Sequence, residues 1–390
     1  MSKGCLSAEE WLAEKRVLAG IMTGTSLDAI DIAVVEFFQE NENQHRFKIV
    51  ASDSYPYEFA LKQDILDLIH KETTIRKVTQ IHYKLAKVYA QSVKQLMQEN
   101  NIDSDSLDAV GIHGQTVWHE PGVESDTRMT FQIGAISALA QQLNSTVVGN
   151  FREADTALGG QGAPLIPIFD YEFLGTETDD IIALNIGGIA NITLLPAGSP
   201  MEKIKAFDVG PGNVLIDAAM RVLYNMSYDE NGSIAKKGKI IPKLLEFLQQ
   251  NEFIYAEPPK STGREMFGLP LIHKILDDFA QQNLARDIIH TLSYFTSWCI
   301  VHNIKLFGNP KSEIIVSGGG SHNEFILSVI NNELPDSKLR ISDEVGIPAD
   351  TKEAISFAYL AYRTLGGLPG NIPSVTGASH PAILGMVSRV

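Results

Sequence analysis

Short apolar runs alternate along the chain with longer stretches in which apolar residues recur at helical spacing. The short runs predict strands at 47–57, 108–112 and 145–151, and a pair of strands within 17–37 that is broken by a turn. The stretch 77–100 predicts an amphipathic helix, because its apolar residues return every three or four positions. Strands that alternate with helices predict mixed sheets covered by helices, with polar and glycine-rich motifs at the strand ends.

The second half of the chain repeats this order of elements. A strand pair is predicted at 181–195 and a strand at 204–207, and amphipathic helices follow within 269–307. Another strand at 313–316 runs into a group of glycines. The halves share the order of their elements rather than obvious residue identity, so the pattern predicts an α/β protein with a duplicated architecture.

Each half begins with a turn of small residues set inside an apolar strand pair. Residues 23–26 read TGTS in the first half, and residues 187–188 are both glycine in the second. Glycines and hydroxyls at a tight turn let backbone N–H groups approach an anion closely, as a polyphosphate requires. An ordinary hairpin between core strands remains an equal alternative for the first turn. Polar residues flank both turns: Asp28, Asp31, Asn185 and Asn191.

A carboxylate follows the predicted strand at 204–207. The run FDVGPGN places Asp208 against the tight turn 210–212, and such an aspartate suits a general base or a ligand of Mg²⁺-bound water. An Asx turn that caps the next helix is the alternative. Asn213 and Asp217 add polar groups at the same edge, which favours the functional interpretation.

Further motifs suit a nucleotide or a sugar. Glycines 318–320, directly after a predicted buried strand, would let the backbone approach a flat ring such as adenine. The run HGQTVWHEP combines polar and aromatic groups, although a lone histidine is more often structural, so His113 is pocket lining at most. Arg152 and Asp155 lie at the start of a predicted loop, 152–164, ahead of its glycines, and could bind a carboxylate and a hydroxyl, or form a salt bridge within that loop.

Familiar nucleotide fingerprints fail here. In residues 232–239 five residues rather than four separate the glycines, and Ile240 follows the lysine of this phosphate-loop-like run. Leu215 stands where a dinucleotide fingerprint beginning at Gly210 needs its third glycine. A nucleotide site in this chain must therefore be of another type.

Composition excludes several classes of protein. The 390 residues are 44% hydrophobic and 20% charged, which indicates a globular protein rather than a disordered one, long enough for two lobes. A net charge of −15 argues against a nucleic-acid binder. Cys5 and Cys299 lack metal-ligand spacing. The N-terminus has no continuous apolar segment and no stretch approaches a membrane span, so we expect a cytoplasmic protein.

The motifs together resemble the anhydro-N-acetylmuramic acid kinases. The resemblance covers residues 20–379 and is carried, in chain order, by GIMTGTSLDAID, GIHGQTVWHEP, LGGQGAPLIP, LNIGGIANIT, FDVGPGN, PKSTGRE, VSGGGSHN and LPGNIPSVTGAS. It implies a two-lobed actin-like ATPase (ribonuclease H-like) fold, with duplicated mixed sheets flanked by helices and the active site in the interlobe cleft. We expect the first lobe at 1–148, the second at 149–369, and the segment 370–390 packed back on the first.

The resemblance also implies the chemistry. Family members use ATP and water to convert 1,6-anhydro-N-acetylmuramic acid to N-acetylmuramic acid 6-phosphate and ADP in cell-wall recycling, and they are typically homodimers. Asp208 would be the base that activates water, and Mg²⁺ would be held through phosphates and water, with Asp28 as a candidate ligand. The expected ATP-binding residues are Gly24, Thr25, Ser26, Leu27, Asp28, Asp31, Asn185, Gly187, Gly188, Asn191, Gly210, Gly212, Asn213, Gly318, Gly319 and Gly320. The expected substrate-binding residues are His113, Gln115, Thr116, Arg152, Asp155 and Glu353.

Two other functions stay open at this stage. A kinase for another anhydrosugar, such as levoglucosan, would need no cation for a lactyl carboxylate, whereas the muramic substrate should need one such as Arg152. A non-catalytic ATP or sugar sensor could share the phosphate turns, although the presence of Asp208 argues against it. Release of ADP that depends on an anhydrosugar would separate an enzyme from a sensor.

Overall fold

The computed structural model describes residues 6–24, 27–41, 44–120, 128–263, 265–280 and 284–390. Its strands are β1 (Arg16–Met22), β2 (Ala29–Asn41), β3 (Gln44–Pro56), β4 (Ala109–Ile112), β5 (Gln115–Glu120), β6 (Met129–Ile133), β7 (Thr146–Gly149), β8 (Ile181–Ile186), β9 (Ile189–Leu195), β10 (Lys205–Pro211), β11 (Glu313–Ser317), β12 (Lys338–Ile341) and β13 (Met386–Ser388).

The α-helices of the described ranges are α1 (Ala8–Leu12), α2 (Phe59–His70), α3 (Ile75–Glu99), α4 (Ile136–Leu143), α5 (Phe151–Ala157), α6 (Pro167–Leu174), α7 (Val214–Tyr224), α8 (Pro242–Gln249), α9 (Leu269–Phe279), α10 (Ala285–Phe307), α11 (Glu324–Glu333), α12 (Lys352–Leu365) and α13 (Pro373–Thr376). Short 3-10 helices lie at Ser104–Ser106, Met201–Lys203, Glu230–Gly232, Ala235–Lys237, Glu252–Tyr255, Gly319–His322 and Ser342–Val345.

The chain forms two compact units. The first consists of Met1–Phe173 with Asp350–Val390, and the second is Leu174–Ala349. The sheet of the first unit has the order β13-β7-β4-β1-β2-β3, in which β1, β2 and β3 are antiparallel neighbours while β4 and β7 continue parallel to β1. The strands β5 and β6 form a separate hairpin.

The second unit repeats the topology of five of these strands, β3, β2, β1, β4 and β7. Its order is β10-β9-β8-β11-β12, with β8, β9 and β10 antiparallel and with β11 and β12 parallel to β8. A three-stranded meander followed by two parallel strands is therefore present twice. This confirms the predicted fold class, an actin-like α/β fold with duplicated mixed sheets flanked by helices.

Each unit has its own apolar core. In the first unit, the inward face of α3 packs with the strands through residues such as Ile81, Leu85 and Tyr89. Their helical spacing made α3 the clearest prediction, and the Thr74 side chain caps the helix by accepting from the N–H of Lys77. In the second unit, α10 is buried along most of its length against β9 and β10.

The helix α12 covers the first sheet at very short range. Gly20 of β1 and Gly111 of β4 are register partners. A Cβ at Gly20 would lie 1.8 Å from the Ala354 carbonyl oxygen, and one at Gly111 would lie 2.0 Å from the Phe357 carbonyl oxygen. These glycines are required because a helix backbone can approach two neighbouring strands this closely only where side chains are absent.

The division into units differs from the boundaries expected at 148 and 369. Residues 149–173 and 350–369 lie in the first unit. The later segment belongs there because α12 packs on β1, β2 and β4. The strand β13 pairs with β7 in the same unit. A strand and helix pattern cannot show which of two sheets a helix covers, so these boundaries were not accessible from sequence.

None of the helices in the described ranges combines the length and the apolar character that a bilayer crossing needs.

Candidate functional site

A row of polar residues crosses four strands of the second sheet. Register pairs Ser317 of β11 with Asn185 of β8, Asn185 with Asn191 of β9, and Asn191 with Asp208 of β10. Register partners on neighbouring strands point to the same face of a sheet. The structure therefore brings Asn185, Asn191 and Asp208, which are far apart in sequence, into one line.

The glycine turn between β8 and β9 is fixed to the start of α7. The N–H groups of Gly212 and Val214 donate to the Gly188 carbonyl at 2.9 and 3.1 Å, and the N–H of Asn213 donates to the Gly187 carbonyl at 2.8 Å. A Cβ at Gly212 would lie 2.2 Å from the Gly187 oxygen, so this approach requires glycine. The Asn213 amide also donates to the Ile186 carbonyl at 3.3 Å.

Gly188 and Gly319 each have an open face. A Cβ at Gly188 or at Gly319 would meet no atom within 4 Å, whereas one at Gly320 would lie 2.2 Å from the Ile186 side chain. Gly318 has φ 80°, and a Cβ at this position would lie 2.5 Å from Asn185 Oδ1. The segment 318–320 is thus pressed against the end of β8 and leaves the backbone at Gly319 accessible, as a flat ligand would require.

Asp208 lies inside β10, at a bulge between Asp208 and Gly210, rather than after the strand as the sequence predicted. Gly210 has φ 147°, and a Cβ there would lie 3.1 Å from the Cys299 side chain, so the strand continues through Pro211 only with glycine at this position. The Oδ2 atom of Asp208 accepts a hydrogen bond from the N–H of Thr262 at 2.9 Å. The structure does not support the alternative of an Asx cap, because no side-chain cap of α7 is formed.

The environment of Asp208 holds a proton more tightly than water does. Burial raises the pKa of Asp208 to about 7, and nearby Glu265 adds to the rise, while the Thr262 N–H and the Lys260 ammonium oppose it. A carboxyl group with a pKa near neutrality accepts a proton readily while remaining substantially ionised. This pKa suits a general base.

In the first unit, buried residues hold the small-residue turn through the Gly24 carbonyl. Leu27 is fully buried with φ 55°, a conformation that is costly without glycine, and its N–H donates to the Gly24 carbonyl at 3.2 Å. The Gln115 amide donates to the same carbonyl at 3.3 Å and accepts from the Tyr57 hydroxyl at 3.1 Å. Thr25 and Ser26, expected to bind phosphates, lie outside the described residues.

Carboxylates accumulate beyond this turn. Asp28 is exposed, with Lys62 at 3.8 Å. Burial raises the pKa of Asp31 to about 6 against a 2.6 Å hydrogen bond from the Ser54 hydroxyl. Burial also raises the pKa of Glu353, and the charge on Asp31 adds to this rise. Mutual repulsion between the ionised forms of Asp31 and Glu353 therefore favours a cation or a proton near them.

Arg152 and His113 form a direct pair. Arg152 lies on α5, not in a loop as expected, and two of its nitrogens contact His113 Nε2 at 2.9 and 3.0 Å. A third donates to the Gly162 carbonyl at 3.2 Å. Burial, reinforced by Arg152, holds the pKa of His113 well below its usual range, so the imidazole is neutral. Burial lowers the pKa of Arg152 to about 10, which leaves it charged at neutral pH.

Other expected substrate residues are occupied within the chain. Both oxygens of Asp155 accept hydrogen bonds, from the Asn371 amide and the Thr376 hydroxyl at 2.7 Å and from the Gly162 N–H at 2.8 Å. Asp155 therefore joins the glycine-rich loop to the C-terminal segment. The Thr116 hydroxyl is within 3.4 Å of the Gln132 amide. Gln115 and Thr116 are both buried, so their geometry favours positioning the turn over contacting a sugar.

Sequence reasoning left Lys260 out of the site. The structure places this buried lysine beside Asp208, whose N–H donates to the Lys260 carbonyl at 3.1 Å. Its sequence signal is the run PKSTGRE, one of the motifs that carry the family resemblance. A lysine in such a run is ordinarily exposed, so burial could not be inferred from it.

The residues present fit a nucleotide better than a protein-held metal. Within the described ranges no group of three or more His, Cys, Asp or Glu side chains is arranged to hold a metal ion. The open glycine faces at Gly188 and Gly319 suit backbone contact with phosphates and a flat ring. A divalent cation at such a site would be held mainly by phosphates and water.

Duplicated sheets of this topology, each with a small-residue turn between its first two strands, define the actin-like class of ATPases and sugar kinases. The model of the anhydro-N-acetylmuramic acid kinase family matches residues 16–389. An anhydro-N-acetylmuramic acid kinase of Bacillus cereus is 35% identical over 378 residues, which cover 95% of this chain and 98% of that protein. One from Bacillus thuringiensis is also 35% identical with the same coverage. The chain belongs to this family, which confirms the predicted enzyme class.

Solved structures show weaker likeness. Component A of the Acidaminococcus fermentans (R)-2-hydroxyglutaryl-CoA dehydratase is 10% identical with a TM-score of 0.47, covering 90% of this chain and 99% of that chain. A glucokinase of the ROK family from Streptomyces griseus, in complex with glucose and AMPPNP, is 14% identical with a TM-score of 0.40, covering 88% of this chain and 98% of that chain.

Proposed function

We propose that the chain uses ATP and water to open 1,6-anhydro-N-acetylmuramic acid and to phosphorylate its O6, which gives N-acetylmuramic acid 6-phosphate and ADP. The single observation that carries this proposal beyond family membership is Asp208, a carboxylate in the polar row whose pKa burial raises to about 7. Cell-wall recycling is the process that would supply such a substrate.

Asp208 takes the role of general base. It accepts a proton from the water whose oxygen attacks the anomeric carbon, the bond from that carbon to O6 breaks, and O6 takes the γ-phosphoryl group of ATP. A positioned base contributes roughly 10²–10⁴-fold to such a step. Because only the ionised carboxylate accepts the proton, kcat should rise with pH up to about 7, the pKa of Asp208, and then level off.

The glycine turns hold ATP in this proposal. Gly187 and Gly188 approach the phosphates with their backbone, and Gly319 approaches the adenosine, since both segments leave open faces. The family resemblance also assigns Gly24 and Asp28 to the phosphates. Mg²⁺ neutralises phosphate charge when bound, and Asp28, an exposed carboxylate, is its proposed protein contact through water.

Arg152 binds the lactyl carboxylate of the substrate. A guanidinium has five N–H donors, and the contacts to His113 and Gly162 use three of these five. The neutral His113 holds the guanidinium plane and leaves its charge uncompensated on that side. A charged group held in this way suits bidentate recognition of a carboxylate.

The function is tested by a coupled ADP assay against a panel of anhydrosugars, with the product mass measured in ¹⁸O-labelled water. We expect turnover with anhydro-N-acetylmuramic acid and one labelled oxygen in the product. Asp208→Asn should abolish turnover while the affinity for ATP stays within about twofold, because the change removes proton acceptance and leaves the phosphate contacts. Wild-type rates in Asp208→Asn would refute the role of this residue.

Levoglucosan is the informative competitor in the panel, since it lacks the lactyl and acetamido groups. Arg152→Ala should raise KM for the muramic substrate at least tenfold, the loss of about 1.4 kcal/mol expected for a charge-assisted contact, and change KM for levoglucosan little. Higher activity on levoglucosan than on anhydro-N-acetylmuramic acid would overturn the substrate assignment. Good ATP binding without turnover on any sugar would favour the sensor. The homodimer and the cytoplasmic location remain part of the proposal on family resemblance alone.

A further inference from the structure

Lys260 is a buried lysine whose ammonium group is completely satisfied. Its side chain is bonded to the carbonyls of Phe253 and Ile254 at 3.1 and 2.8 Å and to Oδ1 of Asn303 at 2.8 Å. An ammonium group has three donors, so no N–H is left over. Only 8% of the residue is exposed.

Aromatic rings rather than carboxylates surround this charge. The Nζ atom lies 5.1–5.7 Å from the ring centroids of Phe207, Phe253 and Phe307. Among the ion pairs of the described residues, none joins Lys260 to an acidic side chain at contact distance. Burying a charged group without a contacting counter-ion costs free energy, so a role limited to anchoring the chain at the surface does not account for this lysine.

The same lysine closes a ring of hydrogen bonds around Asp208. The Asp208 N–H donates to the Lys260 carbonyl at 3.1 Å, and the Thr262 N–H donates to Asp208 Oδ2 at 2.9 Å. Asn303, which accepts from the Lys260 ammonium, donates to the Val209 carbonyl at 3.3 Å and to the Cys299 carbonyl at 2.9 Å. Main chain and side chains thus tie both sides of the β10 bulge to one lysine.

We propose that Lys260 and Asn303 form a positioning unit for Asp208, which fixes the main chain on both sides of the bulge and places near the carboxylate an ammonium group that has no contacting counter-ion. This inference rests on the proposed role of Asp208 as the base. Lys260 contacts no substrate atom in this role and acts through Asp208 alone.

Charges on the packed elements agree in direction. Burial raises the pKa of Asp208, Glu265 raises it further, and Lys260 lowers it. Burial lowers the pKa of Lys260 to about 8, and the charges of neighbouring groups oppose this fall. Burial, and then the charge of Lys260, lowers the pKa of His302. The groups that oppose the fall of the Lys260 pKa are Cys299, Glu257 and Asp208. Without the ammonium charge, only the Thr262 N–H would oppose the rise of the Asp208 pKa that burial and Glu265 cause.

The first test replaces the charge and keeps the shape, in Lys260→Met. The titration of the Asp208 carboxyl is followed by ¹³C NMR and assigned by its loss in Asp208→Asn. We expect the midpoint to rise by roughly one unit, since an opposite charge nearby shifts a carboxyl by about that amount or more. The acid limb of kcat should move by the same amount, with KM for ATP within about twofold. Lys305→Met, which removes an exposed lysine from the same helix as Asn303, is the control and should leave both midpoints unchanged.

The second test is Asn303→Ala, which keeps the lysine and removes its side-chain partner. We expect faster hydrogen exchange at the amides of Asp208 and Thr262, by at least roughly tenfold, while the Asn213 amide at the glycine turn is unaffected. This measurement decides the question if Lys260→Met fails to fold. An unmoved Asp208 midpoint in folded Lys260→Met, or unchanged exchange in Asn303→Ala, would overturn the positioning unit.

The two proposals can fail separately. If the Asp208 titration moves in Lys260→Met but the wild type turns over no anhydrosugar, the proposed function fails and the positioning unit stands. Turnover that depends on Asp208, with a titration indifferent to Lys260, gives the reverse result.

Discussion

At the scale of single residues, the proposed chemistry of this chain depends on Asp208. Burial disfavours the ionised carboxylate of Asp208, while the Thr262 N–H and the Lys260 ammonium offset part of that cost. When this carboxyl group is ionised it destabilises the folded protein, because burial favours the protonated form. The same property that suits proton transfer should therefore appear in stability measurements.

Asp208→Asn should stabilise the folded protein more at pH 8 than at pH 5. The folded pKa of Asp208, about 7, lies above its unfolded value, so the stability linked to protonation is complete below about pH 4 and is lost as pH rises to about 7. Asparagine does not titrate, so the effect of the substitution on the free energy of unfolding should differ by about 2.5 kcal/mol between the two pH values. Chemical denaturation at both pH values, with Asp217→Asn as the control in the same unit, measures it. An equal effect of Asp208→Asn at both pH values would show that the carboxyl group is not perturbed.

At the scale of elements, the conformation of the strand ends and turns depends on the segments that pack against them. The glycine turn 187–188 depends on the start of α7, and the segment 318–320 depends on the end of β8. Sequence gave the positions of these glycines and the expectation of close approach. It could not tell which glycines face neighbours and which face open space, because that distinction depends on chain segments more than 20 residues away.

Gly319→Ala and Gly320→Ala form a matched pair for this distinction. A Cβ at Gly319 meets no atom within 4 Å, whereas one at Gly320 lies 2.2 Å from Ile186. We expect Gly319→Ala to keep the thermal midpoint within about 2 °C and to weaken ATP-analogue binding roughly tenfold, measured by calorimetry. Gly320→Ala should instead lose about 1–3 kcal/mol of stability through overpacking. Unchanged nucleotide affinity in Gly319→Ala would remove this glycine from the proposed ATP site.

At the scale of the whole molecule, the chain is two units with separate cores and one repeated topology. The first unit is assembled from both ends of the sequence, with α12 seated on the paired glycines Gly20 and Gly111. The second unit is one continuous segment, 174–349. Separate cores predict that a packing defect in one unit is felt mainly there.

Gly111→Ala tests this separation. A Cβ at this position would lie 2.0 Å from the Phe357 carbonyl oxygen, so α12 must move, at a cost of about 1–3 kcal/mol. Native-state hydrogen exchange read by mass spectrometry should show lost protection in β1, β4 and α12, with β8 and β11 much less affected. Gly188→Ala, whose Cβ has no neighbour within 4 Å, is the control. An equal loss of protection in both units would show that they unfold as one.

The sequence by itself determined the elements and their repetition. Period and turn chemistry are local properties, so strands such as β4 and β11, the helix α3 and the two small-residue turns could be located in advance. The motif series also determined the family, and with it Asp208 as the candidate base. Local pattern placed Arg152 in a loop, however, where the structure has the helix α5.

Only the tertiary structure decided what is buried, what is paired and what stays open. The row from Asn185 to Asp208 arises from strand register, the burial of Lys260 from packing against three aromatic rings, and the satisfied state of Asp155 from a segment more than 200 residues away. These are long-range properties, since desolvation and hydrogen bonding depend on which segments meet in space. For that reason the identity of the proposed base could be read from the sequence, while the lysine and asparagine that hold it in place could not.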